Sequence, residues 1–350
     1  MVYVTPAQRY DIICAGDVAA DVFITLPPER VREEVDTEGR WLKLPLGAKL
    51  PYERETTVAA GGSAANVSVG LSRLGLRVAL ASFLAHDEIG RDLFSALHSE
   101  HVDTRLMHVD SPAHTNRDFV LSLRGERTIL VRHGAFAYHW PHLRPSEVPA
   151  WLLVGSLGPA AAEYEDQIAD WLHEMPGVHL AVQPGSVQVA DGPKRLARLL
   201  ERADVLLCSV ADAAAICERS ADPIDELILD LQRFGPRRVV LVDDEGGGVA
   251  AERNRILRVP PFPDTSPPLD RTGAHDAFAA AVLAALVDGA SLADALRRGP
   301  VNFMSVSHEL GSQGGLLDDE QLSALLADEP GFAVSEWVRP GAAAQAGSSR

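Results

Sequence analysis

Cysteine is scarce in this 350-residue chain, with only Cys14, Cys208 and Cys217, each in an apolar or helical stretch. The number is odd and no close spacing supplies a zinc site or a disulfide framework, so a reducing, cytosolic (cytoplasmic) setting is expected. Basic residues are also in deficit: 32 Lys plus Arg stand against 49 Asp plus Glu, a formal net charge of −17. That balance gives little electrostatic hold on a phosphate backbone or an anionic membrane, and nucleic acid and lipid surfaces are excluded as partners. Long apolar runs are missing too. The longest, Ala277 to Val287, falls well short of the roughly 20 residues that span a bilayer. Near the start, Pro6, Arg9 and Asp11 leave only Ile12–Ala15 as an apolar stretch, too brief for the core of an export signal. Neither a nucleophile elbow, a zinc-binding helix motif nor a Walker phosphate loop occurs. His133, His139 and His142 have no carboxylates at ligand spacing and read as surface or capping histidines.

What remains is an ordinary globular composition, 46% hydrophobic and 23% charged, enough to bury a sizeable core. Short apolar or β-branched runs recur at Tyr10–Gly16, Val78–Leu84, Trp151–Gly155, Val178–Val182, Asp204–Cys208 and Arg238–Val242. Their near-continuous apolarity predicts strands buried on both faces. Between them, Ala64, Val67, Leu71 and Leu74 fall at helical spacing up to Gly75, and Ile89, Leu93, Ala96 and Leu97 repeat the pattern. Strand alternating with helix predicts an α/β fold, a mostly parallel sheet covered by helices on both sides. Two regions break the rhythm, 22–59 and 117–131, the second folding about Gly125-Glu126. Both read as antiparallel strands of a small β-sheet lid. One domain is expected over 1–338, with 339–350 a disordered tail.

Three segments carry candidate chemistry. The first, Asp270-Arg271-Thr272-Gly273-Ala274-His275-Asp276-Ala277-Phe278, opens a long Ala-rich helix. A helix N-terminus presents unpaired N–H groups and partial positive charge, a natural cradle for phosphate. Asp276 in its first turn would then act as general base toward an attacking hydroxyl; the plainer reading is a carboxylate complementing the helix dipole. The second, Gly61-Gly62-Ser63-Ala64-Ala65-Asn66, sits at a strand-to-helix junction, where glycines allow close backbone approach and Asn66 leaves the first turns; its plainer reading is a turn capped by Ser63. The third, Gly16-Asp17-Val18-Ala19-Ala20-Asp21, lies after the first strand, where open parallel sheets bind ligands. Either of its aspartates serves sugar hydroxyls or simply orders a loop.

In this order along the chain, these segments resemble the ribokinase-like, or PfkB, family of carbohydrate and nucleoside kinases. The resemblance runs from about Tyr10 to Leu325. It includes Leu71-Ser72-Arg73-Leu74-Gly75, His86-Asp87-Glu88-Ile89-Gly90, Gly125-Glu126-Arg127-Thr128 and Gly134-Ala135. It implies a Rossmann-like ribokinase fold with a β lid and ATP-dependent phosphorylation of an alcohol on a small sugar or nucleoside. It further implies an acceptor held by Asp21, Gly61, Gly62 and Asn66, with Asp276 as base and Gly273, Ala274 and His275 as anion hole. Ser209, Asp244, Gly247 and Asn302 would fall beside the nucleotide. Mg2+ would bridge the phosphates with help from Asp212, and Asp270 lies near the monovalent-cation site found in several members. Pairing of lids into a homodimer is a further expectation.

The chain departs from the family pattern mainly on the donor side. His275 stands where the family has glycine, so any positive φ there carries a cost; its ring is expected to turn away into the lid or solvent. Ser209-Val210-Ala211-Asp212 is a shorter version of an Asn-x-x-Glu motif. Asp243, Asp244 and Glu245 add negative charge where a triphosphate is expected. Two readings follow: a working kinase with modified nucleotide handling, or a sugar-binding protein on a kinase scaffold.

Overall fold

The computed structural model describes residues 10–337 apart from positions 38, 111, 112, 125 and 265. Gly125 and the expected tail 339–350 therefore lie outside the described residues. A nine-stranded sheet runs in the order Ser335–Trp337 (β17), Arg255–Val259 (β16), Gly248–Glu252 (β15), Arg238–Val242 (β14), Val205–Ser209 (β13), His179–Val182 (β12), Trp151–Val154 (β11), Ile12–Ala15 (β1) and Val78–Ala81 (β6). The six runs singled out in the sequence supply its parallel part, β14 through β6. β14 to β17 instead continue as an antiparallel meander. β1, β6 and β11 are buried at every position, as strands covered on both faces must be.

A separate four-stranded sheet runs in the order Glu126–Leu130 (β10), Asn116–Leu123 (β9), Ala19–Thr25 (β2) and Arg54–Gly61 (β5). It is not wholly antiparallel as the sequence suggested: β2 pairs β9 in parallel, with Asp21 opposite Asp118. Pairing positions 97 residues apart is a tertiary choice that no local turn signal announces. Arg32–Val35 (β3) and Arg40–Lys43 (β4) form a separate hairpin, and Phe83–Ala85 (β7) pairs His108–Asp110 (β8).

Two helices position the candidate site. Ser63–Arg73 follows β5, and the alanine-rich helix Ala274–Val287 packs against it, with Gly70 facing Ala280 closely enough that a Cβ would lie 2.8 Å from the alanine's. Apolar residues on every face, with half of the helix alanine, let the second helix be buried on nearly every side. Asn302, fully buried in helix Leu292–Ser307, donates to Ala277 O (2.9 Å) and accepts from Leu317 N (3.1 Å), clamping the alanine-rich helix to a later loop. Cys14, Cys208 and Cys217 are free, and burial pushes the Cys14 thiol up to about 12. No described helix is long and apolar enough to cross a membrane.

Candidate active site

The three sequence segments converge. Asp276, in the first turn of the alanine-rich helix, accepts from Ser63 Oγ (2.8 Å) and Gln183 Nε2 (2.8 Å) on Oδ1 and from Asn66 Nδ2 (2.8 Å) on Oδ2. Ser63 is therefore not a cap. The N-cap of its helix is Gly62, at φ +85° with no side-chain bond, and the serine hydroxyl is spent on the carboxylate. Asn66 is held in turn by Gln313, whose Nε2 donates to Asn66 Oδ1 (2.9 Å) and to the Ala60 carbonyl.

Asp21, on β2, lies against the glycine pair: a Cβ on Gly61 would fall 2.1 Å from its Oδ2. Only glycine leaves room for a carboxylate over that backbone. Burial pushes Asp21 up to about 7; Asp118 across the strand pair and Asp276 add repulsion, and the Gly62 amide opposes them. Asp118 is itself raised by burial, against the Arg132 amide and His133. Asp17, at the end of β1, is buried, accepts from Tyr138 Oη (2.9 Å) and Gly158 N (2.8 Å), and is raised by burial all the same. These bonds give it a loop-ordering role.

The positive φ of the Asp270–Phe278 segment falls on Gly273 (+77°) and not on His275, which is ordinary helix. A Cβ on Gly273 would lie 2.6 Å from the Ser312 carbonyl, so the turn needs glycine on two counts. The Ala274 amide already donates to Arg271 O (3.2 Å), whereas those of His275 and Asp276 have no carbonyl partner among the described residues. Contrary to expectation, the His275 ring does not turn to the lid or solvent. It packs by Phe303 (centroids 5.7 Å apart), its Nε2 is buried without a hydrogen-bond partner among the described residues, and it lines a cavity of about 260 Å³.

That cavity opens beside Asp276 and continues over Gln183, Ser186, Ser209 and Asp212 onto an apolar floor that includes Val242 and Phe278. No Lys or Arg among the described residues lines it. Ser209 caps the helix Val210–Ile216 by accepting from Asp212 N (3.0 Å), and its hydroxyl donates to Asp212 Oδ2 (2.7 Å). Asp244, Gly247 and Asn302, expected beside a nucleotide, do not line this cavity. Asp243 and Gly247 close the β14–β15 turn by an amide-to-carboxylate bond of 2.8 Å, Asp244 points outward, and Asn302 is the buried clamp described above. Asp270 is likewise committed. It accepts from Thr272 N (3.0 Å), Thr272 Oγ1 (2.8 Å) and Gly311 N (3.1 Å), with Arg127 of β10 at 3.8 Å. A carboxylate so fully used, with a guanidinium beside it, has little left for a monovalent cation. The described residues hold no cluster of three or more His, Cys, Asp or Glu arranged for a metal.

A profile described as pfkB family carbohydrate kinase matches residues 36–307. The chain belongs to this family. A fructokinase from Klebsiella pneumoniae is 29% identical over 265 residues, 72% of this chain and 80% of that protein. Among solved structures, an Arabidopsis thaliana ribokinase complexed with ribose and ATP superposes with TM-score 0.75 at 17% identity, covering 91% of this chain and 99% of that one. A Burkholderia thailandensis nucleoside kinase in complex with inosine gives 0.73 at 16% identity, covering 92% and 99%. The pfkB chain thus has the ribokinase fold expected from its motifs.

Sequence reasoning missed Gln183, Asp118 and Gln313. A lone glutamine carries no motif, and Asp118 acquires meaning only through the parallel β2–β9 register. His133 is exposed, as expected of a surface histidine, yet it stands near enough to Asp17 and Asp118 to oppose the upward pull of burial on both.

Proposed function

We propose that the protein transfers the γ-phosphoryl group of ATP to a hydroxyl of a small neutral sugar or nucleoside. The observation that carries this reading is Asp276, pinned by Ser63, Asn66 and Gln183 between the carboxylate of Asp21 and the cavity over Ser209. In this reading the acceptor lies toward the small sheet and hydrogen-bonds Asp21 and Asn66. Asp276 takes the proton of the reacting hydroxyl, whose oxygen bonds to the γ-phosphorus as the bond to the β-phosphate oxygen breaks. The free amides of His275 and Asp276 donate to the developing charge, a role worth about 3 kcal/mol per donor in other enzymes.

The cavity's oxygen ligands include serine hydroxyls and the carboxylates of Asp212 and Asp276, and no Lys or Arg among the described residues lines it. This set suits a hard, oxygen-preferring ion such as Mg2+, with Asp212 assisting through water. Bound with the nucleotide, Mg2+ would neutralise phosphate charge. Acceptor chemistry follows from the same electrostatics: Asp118 and Asp276 both add repulsion at the buried Asp21, and a site with three carboxylates on this side disfavours a phosphorylated or carboxylated sugar.

A screen of sugars and nucleosides with ATP and Mg2+ tests the reading. Turnover of a neutral acceptor is expected, with kcat/KM rising with pH through about 7 as Asp21 ionises and becomes a full acceptor for hydroxyls. The Asp21→Asn variant loses this limb. In stability the sign is opposite: the folded Asp21 binds its proton more tightly than the unfolded one, so its contribution falls between about pH 4 and 7. Faster turnover of phosphorylated than of neutral sugars would refute the assignment of acceptor class.

A second reading, sugar binding without transfer, is favoured by one feature, the His275 ring against Phe303 at the cavity wall. If the ring obstructs the donor, His275→Gly lowers the KM for ATP several-fold. An unchanged KM means the ring stands clear. Calorimetry showing sugar binding but no nucleotide binding would establish the second reading.

A further inference from the structure

Gln313 belongs to none of the motifs that identify the site and lies some distance along the chain from all of them. Its loop is tied down: Arg73 Nη1 donates to the Gln313 and Leu316 carbonyls, both at 3.0 Å, while the same guanidinium pairs Glu100. From there its side-chain amide begins a directional chain. Nε2 donates to the Ala60 carbonyl and to Asn66 Oδ1 (2.9 Å), and Asn66 Nδ2 donates to Asp276 Oδ2 (2.8 Å).

Both ends of this chain are acceptors only, a backbone carbonyl at one and a carboxylate at the other. The carboxylate oxygen of Asp276 requires the NH2 of Asn66 to face it. The oxygen of Asn66 must then face Gln313, which answers with its own NH2, the group the Ala60 carbonyl also needs. A single arrangement of both amides satisfies every contact.

A carboxylate has about four in-plane lone-pair positions, two on each oxygen. Ser63 and Gln183 take both on Oδ1, and Asn66 takes one on Oδ2. One position on Oδ2 is left. We infer that Gln313 is a positioning residue: by fixing which end of the Asn66 amide meets Asp276, it leaves a single lone pair of Oδ2 to receive the acceptor hydroxyl's proton. The kinetic part rests on the phosphotransfer reading above.

Two substitutions separate this role from packing. Gln313→Glu is nearly isosteric but replaces a donor by an acceptor. It draws the Asn66 NH2 toward itself and turns the Asn66 oxygen onto Asp276. Gln313→Ala removes more bulk but leaves Asn66 free to keep facing Asp276. With a neutral acceptor, ATP and Mg2+, the glutamate variant is expected to lose on the order of 100-fold in kcat and the alanine variant about 10-fold or less, since small misplacements at a reacting centre have effects of this size. A residue that only packs gives the reverse order, and that order overturns the inference.

A second measurement needs no activity. The chain has four asparagines, Asn66, Asn116, Asn254 and Asn302, so 15N-asparagine labelling yields four side-chain amide pairs. The pair assigned to Asn66 is expected to shift strongly in Gln313→Glu and much less in Gln313→Ala. An unmoved Asn66 pair in the glutamate variant overturns the inference. Absence of turnover in the unsubstituted protein, with the Asn66 shift present, refutes phosphotransfer and leaves the positioning role supported.

Discussion

Asp276→Asn is expected to lower kcat by about 1,000-fold while changing acceptor affinity no more than a few-fold. The lost step is proton removal from the acceptor hydroxyl, a contribution that typically amounts to about 100- to 10,000-fold. The variant should fold, because its surroundings can adapt to an amide. Ser63 Oγ can accept as well as donate. Gln183 Oε1 is buried without a partner among the described residues, and turning that amide over offers an acceptor to the new NH2. Asn66 can continue to donate to the retained carbonyl oxygen. Single-turnover kinetics, together with acceptor titration by calorimetry, checks this. More than a tenth of the original kcat, with an unchanged thermal midpoint, would remove Asp276 from the role of base.

This tolerance could not be read from the sequence, and the reason is physical. The Asp270–Phe278 segment and the Gly61–Asn66 junction are legible because local chemistry constrains them: a helix start, a glycine turn, small residues at a close crossing. The six parallel strands are legible because burial on both faces demands apolar runs. Gln183 and Gln313 reach Asp276 and Asn66 from loops far along the chain, and their importance lies in the direction of a hydrogen bond, which leaves no pattern in composition or period. Asp118 matters because β9 pairs β2 in parallel, a long-range choice. Asn302 shows the opposite error. The family resemblance placed it beside the nucleotide, but in this fold both its amide groups are consumed in clamping the alanine-rich helix.

The second large effect is expected at Gly273. Its φ of +77° is left-handed, which costs an alanine about 1 kcal/mol or more. The new Cβ would also lie 2.6 Å from the Ser312 carbonyl oxygen and 2.7 Å from its Cα, contacts with backbone that no rotamer relieves. Either the helix start or the loop carrying Ser312 must move. That loop also carries Gln313, and Gly311 in it would place a Cβ 2.9 Å from Val58 of the small sheet. Displacing it therefore disturbs Asn66 and the sheet bearing Asp21 together with the free amides of His275 and Asp276. Gly273→Ala is expected to lower stability by about 2–4 kcal/mol, strain and overlap combined, and kcat by at least about 100-fold in the fraction that remains folded. Gly289→Ala is the control: Gly289 has a similar φ, +82°, just past the other end of the same helix, with nothing within 4 Å of its Cβ position. It bears the conformational cost alone, about 1 kcal/mol, and kcat should be unchanged. Chemical denaturation and turnover of the two variants side by side separate backbone strain from displacement of the site. Equal losses of stability and activity in both would mean that the fit of Gly273 beneath Ser312 contributes nothing to catalysis.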